Sequence, residues 1–303
     1  MAIIHFIWWG PPRGDDSIKT PSDVALACRG TPHSVKFWCR EEHVEEFSTL
    51  LVGSSLPLTV ESCSNIREIL GQTLHATNPR LFDEAQEILT YLDTARAFSA
   101  IKDLISLFVL YRHGGYYLDT TTFIDSERKG SVIKALGQTY TAPRLVQLTN
   151  GAQIRHVPWL QTGRSIAFGD ETRVEIDAVF VPLIDVWAMY SPETDPTILL
   201  VIESYVSRSN RMGLVPHGEP SNFDNIKGAD ILKNPESGRD ELIGNLIIRA
   251  TYDGFIVGCC QGNADLLPQF CWRSPETETL ERILPALGIR KIYKNSWRNL
   301  VLA

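Results

Sequence analysis

The chain has 303 residues, of which 44% are hydrophobic and 21% charged, and a formal net charge of -7 from 36 acidic and 29 basic side chains. This length supports one large α/β domain or two modest ones with a substantial core, and the composition excludes disordered and fibrous classes. The acidic balance argues against nucleic acid as a partner, because a phosphate backbone is bound by clustered Lys and Arg.

The opening Met1-Ala2-Ile3-Ile4-His5-Phe6-Ile7-Trp8-Trp9-Gly10 has neither a basic leader nor a small-residue cleavage site, and reads as a first β-strand, Ile3 to Trp9. Further strand-like runs follow at Val35 to Cys39 and Leu58 to Glu61, separated by segments long enough for helices, with short helices read at 41 to 52 and 65 to 74. This alternation predicts a parallel sheet. Six cysteines (Cys28, Cys39, Cys63, Cys259, Cys260 and Cys271) form no C-x-x-C pair, so they read as reduced thiols of a protein that folds in the cytosol.

From Phe82 to His113 the pattern is helical in two parts. The second part ends at Gly114-Gly115, where a left-handed residue is tolerated. Tyr116, Tyr117 and Leu118 then form a strand, and Asp119-Thr120-Thr121-Thr122 stands where it runs out. The apolar run Phe98 to Tyr111 contains Lys102 and Asp103 and falls short of the ~20 residues that span a bilayer, so no transmembrane segment is expected. In the second half, strands are read at 139 to 148, 165 to 169, 174 to 181 and 254 to 259 and a helix at 196 to 207. The stretch from Arg208 to Asp240, rich in Gly, Pro, Asn and Ser, reads as a long loop. The chain shows no internal repeat and no linker.

On the helix before Gly114, Arg96, Ser99, Asp103 and Ser106 share one face and make a polar stripe on an apolar segment. An unpartnered buried carboxylate costs several kcal/mol, so Asp103 is expected to face solvent, a cation or a polyhydroxyl ligand. A solvent-facing stripe on a surface helix accounts for the periodicity equally well. The basic cluster Arg290, Lys291, Lys294 and Arg298 is likewise open, as a solvated face or an anion site. Trp8, Tyr117 and Trp297 have bland readings too, as core or anchoring residues, and Trp9, alternating to the other face of its strand, reads as core. His43 lies in a Glu-rich helix without H-E-x-x-H spacing, and there is no dinucleotide, P-loop or G-x-S-x-G motif.

The segment from Ala100-Ile101-Lys102-Asp103-Leu104 through Gly114-Gly115-Tyr116-Tyr117-Leu118-Asp119 resembles the GT-A glycosyltransferases with a DXD motif, including the fungal mannosyltransferase type and the large clostridial glucosylating toxins. The sixteen-residue separation of Asp103 and Asp119 is that family's separation between its sugar-binding aspartate and the first DXD aspartate. Ile4-His5-Phe6-Ile7-Trp8-Trp9-Gly10 is similar to the family's first strand, and Asn295-Ser296-Trp297 to its S-W element near the end of the chain.

The resemblance implies a GT-A-like, Rossmann-related α/β fold with a central, mostly parallel sheet. It implies a single domain over 1–303, with a nucleotide-sugar-binding half (1–125), an acceptor-side half (126–290) and a closing segment (291–303). It further implies a hexosyltransferase that moves a hexose or N-acetylhexosamine, with retention, from a nucleotide diphosphate sugar, UDP-linked for preference, to a protein or glycan acceptor. The residues it carries over are Trp8 stacking on the base, Arg96, Asp103, Tyr117, Asp119 and Thr121 at the donor, and Asn295, Ser296 and Trp297 closing over the diphosphate. Asp119 and Asp103 are the catalytic pair, with no dedicated general base. A Mn²⁺ or Mg²⁺ ion on Asp119 is the family's usual Lewis acid. A cytoplasmic enzyme and an effector delivered into a host cell both suit such a unit.

The chain departs from the pattern at three places. Thr121 stands where the family has the second DXD aspartate, Lys291-Ile292-Tyr293-Lys294 contains no metal-serving histidine, and Ser106 replaces an arginine for which Arg96 is a substitute. Two readings follow. Either lysines or arginines among 290 to 298 neutralise the diphosphate, with Thr120 to Thr122 giving neutral hydrogen bonds, Asp119 keeping the ribose or a water-bridged cation and Asp125 adding an oxygen, or the site is degenerate and the protein is a sugar-nucleotide or glycan-binding module.

Overall fold

A computed structural model of the chain describes residues 1–52, 56–64, 68–69, 78–94, 97–124, 129–148, 152–154, 179–181, 184–211, 231–233, 240–242, 244–255, 269–274 and 281–292. Arg96, Asp125, Lys294, Asn295, Ser296, Trp297, Arg298, the strand read at 165 to 169 and most of the helix read at 65 to 74 lie outside the described residues.

The chain opens with β1 (Ile3–Trp8), α1 (Asp15–Cys28), β2 (Ser34–Cys39), α2 (Val44–Val52) and β3 (Leu58–Ser62), and two long helices follow, α3 (Pro79–Thr94) and α4 (Phe98–His113). Then come β4 (Gly115–Leu118), β5 (Thr122–Ile124), α5 (Lys129–Leu136), β6 (Arg144–Leu148), β7 (Ala152–Ile154), β8 (Val179–Val181) and β9 (Ile184–Ser191). The last elements are α6 (Pro196–Arg211), β10 (Ile231–Lys233), β11 (Asp240–Leu242), α7 (Gly244–Gly254), β12 (Cys271–Ser274), β13 (Glu281–Leu284) and β14 (Ile289–Ile292).

Seven strands make the main sheet in the order β3-β2-β1-β4-β9-β6-β12. Four of its six strand pairs are parallel, and β9 runs antiparallel between β4 and β6. This is an α/β fold with a mostly parallel central sheet, the arrangement expected of a GT-A-like, Rossmann-related domain. Strands β6, β9 and β12 all come after residue 125 and extend the same sheet as the first four.

Both faces of the sheet are covered, which is why its strands read as nearly unbroken apolar runs. Along β1, Ile4 and Phe6 point into a core shared with α1, α2 and α5, whereas Ile7 points into a core shared with α3, α4, α6 and α7. Successive side chains of a strand face opposite ways, so one short sequence serves both cores.

Helix α4 is buried almost all round. It packs against β1, β4 and β9 on one side and α3, α6 and α7 on the other. The solvent-facing stripe allowed by its periodicity is therefore corrected: Ser106 is fully buried, with its hydroxyl donating to the Asp103 carbonyl at 2.7 Å, and Asp103 is only 8% exposed. A second layer of helices covers a face that the sequence of α4 alone leaves open.

Other readings change as well. The strand read at 254 to 259 begins inside the end of α7, since a short apolar run fits a buried helix as well as a strand. The helix read at 196 to 207 continues to Arg211 and starts at Pro196, with Asp195 Oδ1 accepting from the Thr197 N–H at 2.8 Å as its cap. Of the loop read from 208 to 240, residues 208–211 are helix and 231–233 and 240 are strand. Strand β9 went unread, and β6 begins at Arg144 rather than 139.

The turn from α4 into β4 depends on Gly114 (φ 61°) and Gly115 (φ 88°). A Cβ on Gly115 would lie 2.3 Å from the Ile3 carbonyl oxygen, and one on Gly114 2.7 Å from the Glu193 backbone nitrogen. The Gly114 carbonyl accepts from His5 Nε2 at 2.9 Å, while His5 Nδ1 accepts from Trp38 Nε1 at 3.1 Å. Gly115→Ala is expected to destabilise the protein by at least about 2 kcal/mol, combining a strained φ with a backbone clash; a urea midpoint within error of the parent would contradict this.

Candidate functional site

The parallel half of the sheet runs outward from β1 in two directions, to β2 and β3 on one side and to β4 on the other. Ligands of open α/β sheets bind beyond the carboxyl ends of strands at such a reversal. Trp8 ends β1 and Asp119 follows β4, so both stand at this edge. Trp8 is half-buried, with its indole N–H donating to the Pro11 carbonyl at 2.9 Å. Trp9 is buried, as expected of a core residue, and its indole N–H donates to Asp93 at 2.6 Å.

The geometry of α4 and β4 explains the spacing of the two aspartates. Counting back from Gly114 to Asp103 climbs a helix by ~16 Å, and counting forward from Gly115 to Asp119 climbs the neighbouring strand by roughly 13–15 Å. A helix reversing into a strand therefore brings these two carboxylates to one level. Lys102 Nζ joins them, at 3.1 Å from Asp119 Oδ2 and 3.9 Å from Asp103 Oδ1.

Asp119 is held by its backbone. Its N–H donates to the Trp187 carbonyl of β9 at 2.8 Å, and its carbonyl accepts from the Thr122 N–H at 3.0 Å and the Thr122 hydroxyl at 2.7 Å. The Thr122 carbonyl accepts from the Thr20 hydroxyl of α1 at 2.5 Å. The resulting turn delivers the chain into β5, which pairs with β14 so that Lys291 stands opposite Thr122. From there the Lys291 ammonium donates both to Asp119 Oδ2 and to the Thr121 hydroxyl. Among the described residues of the C-terminal basic cluster, Arg290 and Lys291, it is Lys291 that the fold brings to the site.

Two residues of this constellation were not read as site residues from sequence. Lys102 is masked by its position next to Asp103, since face-sharing arguments look three and four residues away. Asp185 is the other: it lies on β9 two residues before Trp187, close enough to Asp103 and Lys291 for their charges to interact. Its only signal was an acidic residue in the apolar run Ile184–Ser191. Tyr117 is 1% exposed, so it lies beneath the charged cluster rather than on an open face. Two other tyrosines brace the surroundings. The Tyr205 hydroxyl donates to the Ala100 carbonyl at 3.0 Å, and the Tyr252 hydroxyl accepts from the Ile184 N–H at 3.2 Å.

Electrostatics divides the four central groups. Burial opposes the charge of Asp119, but Lys102 and Lys291 outweigh it and hold the carboxylate well below the usual range. Burial dominates at Asp103 and, with Asp119 and Asp185 added against the pull of Lys102 and Lys291, pushes it up to about 7. Lys102 stays well above the ordinary lysine value despite its burial, because Asp119 and Asp103 stand beside it. Lys291 is shifted down by burial, Asp119 opposing and Lys102 adding to the shift. A firmly ionised aspartate therefore sits beside one that titrates near neutrality.

Since Asp103 has a higher pKa folded than unfolded, its contribution to stability is complete at low pH and is lost as pH rises through about 7. Asp103→Asn is expected to stabilise the protein at pH 8 on the order of 2 kcal/mol and to flatten the decline in stability between about pH 4 and 7. Urea unfolding of both proteins across that range checks this; parallel curves would contradict it.

In nucleotide sites Mg²⁺ is held by one or two carboxylates, with waters and phosphate oxygens completing its shell. Asp119, expected as the metal ligand, already shares one oxygen between two ammonium groups, and Thr121 offers a hydroxyl that one of them occupies. Among the described residues no group of three His, Cys, Asp or Glu side chains is placed to hold an ion. Among the described residues, the oxygens of this turn nearest to a would-be metal position are thus engaged by ammonium groups.

No protein-family model and no curated protein matches the chain. Among solved structures it is similar to one named "PaToxG Glycosyltransferase", with 14% identity and a TM-score of 0.46 over 89% of this chain and 75% of that one. This likeness is one of outline, and nothing about the site rests on it. Among the described residues no helix is long and apolar enough to cross a membrane, and Cys28, Cys39, Cys63 and Cys271 are not joined in disulfides.

Proposed function

We propose that the protein is a glycosyltransferase that takes a hexose or N-acetylhexosamine from a nucleotide diphosphate sugar, with the donor bound beyond β1 and β4. The convergence of Asp103, Lys102, Asp119 and Lys291 at the strand-order reversal is the observation that carries this reading. A sugar nucleotide presents a flat base, hydroxyls and an anionic diphosphate. The half-buried Trp8 offers a face for the base, where stacking contributes ~1–3 kcal/mol. Asp103 and Asp119 offer acceptors for sugar or ribose hydroxyls, and such charge-assisted hydrogen bonds are the stronger kind.

As the glycosidic bond breaks, negative charge grows on the leaving diphosphate, and positive groups already in place stabilise it without reorganising. The leaving diphosphate itself assists the acceptor hydroxyl in a retaining transfer, so no separate general base is assigned. The acceptor, a protein or a glycan, binds against the half of the chain after residue 125. The enzyme works in the cytoplasm or inside a host cell.

The competing reading, a sugar-nucleotide-binding module without turnover, draws on Thr121 in place of a second aspartate. Incubation with a panel of nucleotide sugars, following free nucleotide diphosphate and binding heat together, separates the two. Release that disappears in Asp119→Ala is the expected result. Binding heat without release assigns the module instead, and neither signal removes both readings.

A further inference from the structure

We propose that Lys291, assisted by Lys102, is the resident cation of this site and holds the ligand's diphosphate directly, so that nucleotide binding needs no divalent metal. This rests on the nucleotide-sugar reading above and names the group that meets the diphosphate.

The inference follows from how the side chain is placed. The Lys291 ammonium bridges Asp119 and Thr121, the first and third residues of the turn after β4. Its side chain is 8% exposed, and its backbone is fixed in the three-stranded sheet β13-β14-β5, so it is not a surface lysine resting on a convenient partner. Lys102 reaches the same carboxylate oxygen from α4. Two ammonium groups from opposite sides of the site thus converge on one oxygen. A divalent ion at that oxygen would have to displace both ammonium groups, and would gain at position 121 only a neutral hydroxyl.

The choice of threonine at position 121 is then intelligible. A second carboxylate there would compete with a diphosphate for Lys291, whereas a hydroxyl orients the ammonium without cancelling its charge. Asp119 steadies the two lysines in the same way a carboxylate orients any buried cation, and the diphosphate brings the additional negative charge. An ammonium is a compact point charge with three donors, suited to non-bridging phosphate oxygens.

The test is calorimetric titration of the full-length chain with UDP, GDP and inorganic pyrophosphate, each in excess EDTA and in excess MnCl₂. Expected is binding of at least one probe with affinity equal within about twofold in the two buffers, weakened about 10- to 100-fold in Lys291→Ala, the span of a lost charge-assisted hydrogen bond. Lys291→Arg, which keeps the charge, recovers part of the loss. The double variant Thr121→Asp with Lys291→Ala is expected to bind only in MnCl₂, which no loss of folding could produce.

Binding that vanishes in EDTA and returns with Mn²⁺ in the parent protein overturns the inference while leaving the nucleotide-sugar reading intact. Unchanged affinity in Lys291→Ala overturns it too, and reduces the lysine to a structural ion pair. Absence of binding for every probe in both buffers overturns the inference together with the reading on which it rests.

Discussion

Asp119→Asn is expected to lower the rate of nucleotide diphosphate release by about 10²–10³-fold, the range seen when one preorganised group is removed from a reacting centre. Asparagine keeps the volume and can keep the hydroxyl contacts of Asp119, so what the substitution isolates is the charge. Without it, Lys102 and Lys291 repel each other across the position of Oδ2, and each lowers the other's affinity for a proton. The positive groups that should meet the leaving diphosphate are then neutral or turned away. A loss below tenfold, measured by steady-state release on a protein shown to be folded, would mean that Asp119 is not central to the site.

The largest expected effect on stability lies away from this site, between α6 and α7. Arg208 sends two N–H groups, from Nε at 2.8 Å and Nη2 at 2.7 Å, to Asp253 Oδ2, and the Ser204 hydroxyl donates to the same oxygen at 2.5 Å. Both charged side chains are buried, Asp253 completely. Removing one partner of a buried pair strands the other's charge in a poor dielectric, so Asp253→Ala is expected to cost about 3–5 kcal/mol in urea unfolding. Ser204→Ala, which removes only a hydroxyl donor, is expected to cost about 1 kcal/mol. Equal costs for the two variants would refute this account of the pair. Because α6 and α7 back α4, the same loss should loosen the helix that carries Lys102 and Asp103.

The parts of the molecule that were legible in the sequence are those whose determinants are local. Strands β1 to β4 announce themselves as short apolar runs, and Gly114-Gly115 marks the reversal because no other residue tolerates both its φ and the approach of the Ile3 carbonyl. That reversal also made the Asp103–Asp119 pair readable, since helix rise and strand rise fix their relative height. What stayed hidden depends on partners distant in sequence. The burial of Ser106 requires a helical layer that α4 does not encode. Nothing in the sequence set Lys291 apart in its basic cluster, and the pairing of β14 with β5 is what brings it to Asp119; Asp185 gained meaning only when β9 was found between β4 and β6.

The most direct measurement is the crystal structure of the protein in complex with whichever nucleotide diphosphate the donor panel releases. The account predicts the base against Trp8, the diphosphate oxygens within hydrogen-bonding distance of Lys291 and Lys102, and the sugar side of the pocket facing Asp103. A nucleotide bound at any other edge of the sheet, with the Lys102–Asp119–Lys291 cluster untouched, would contradict it.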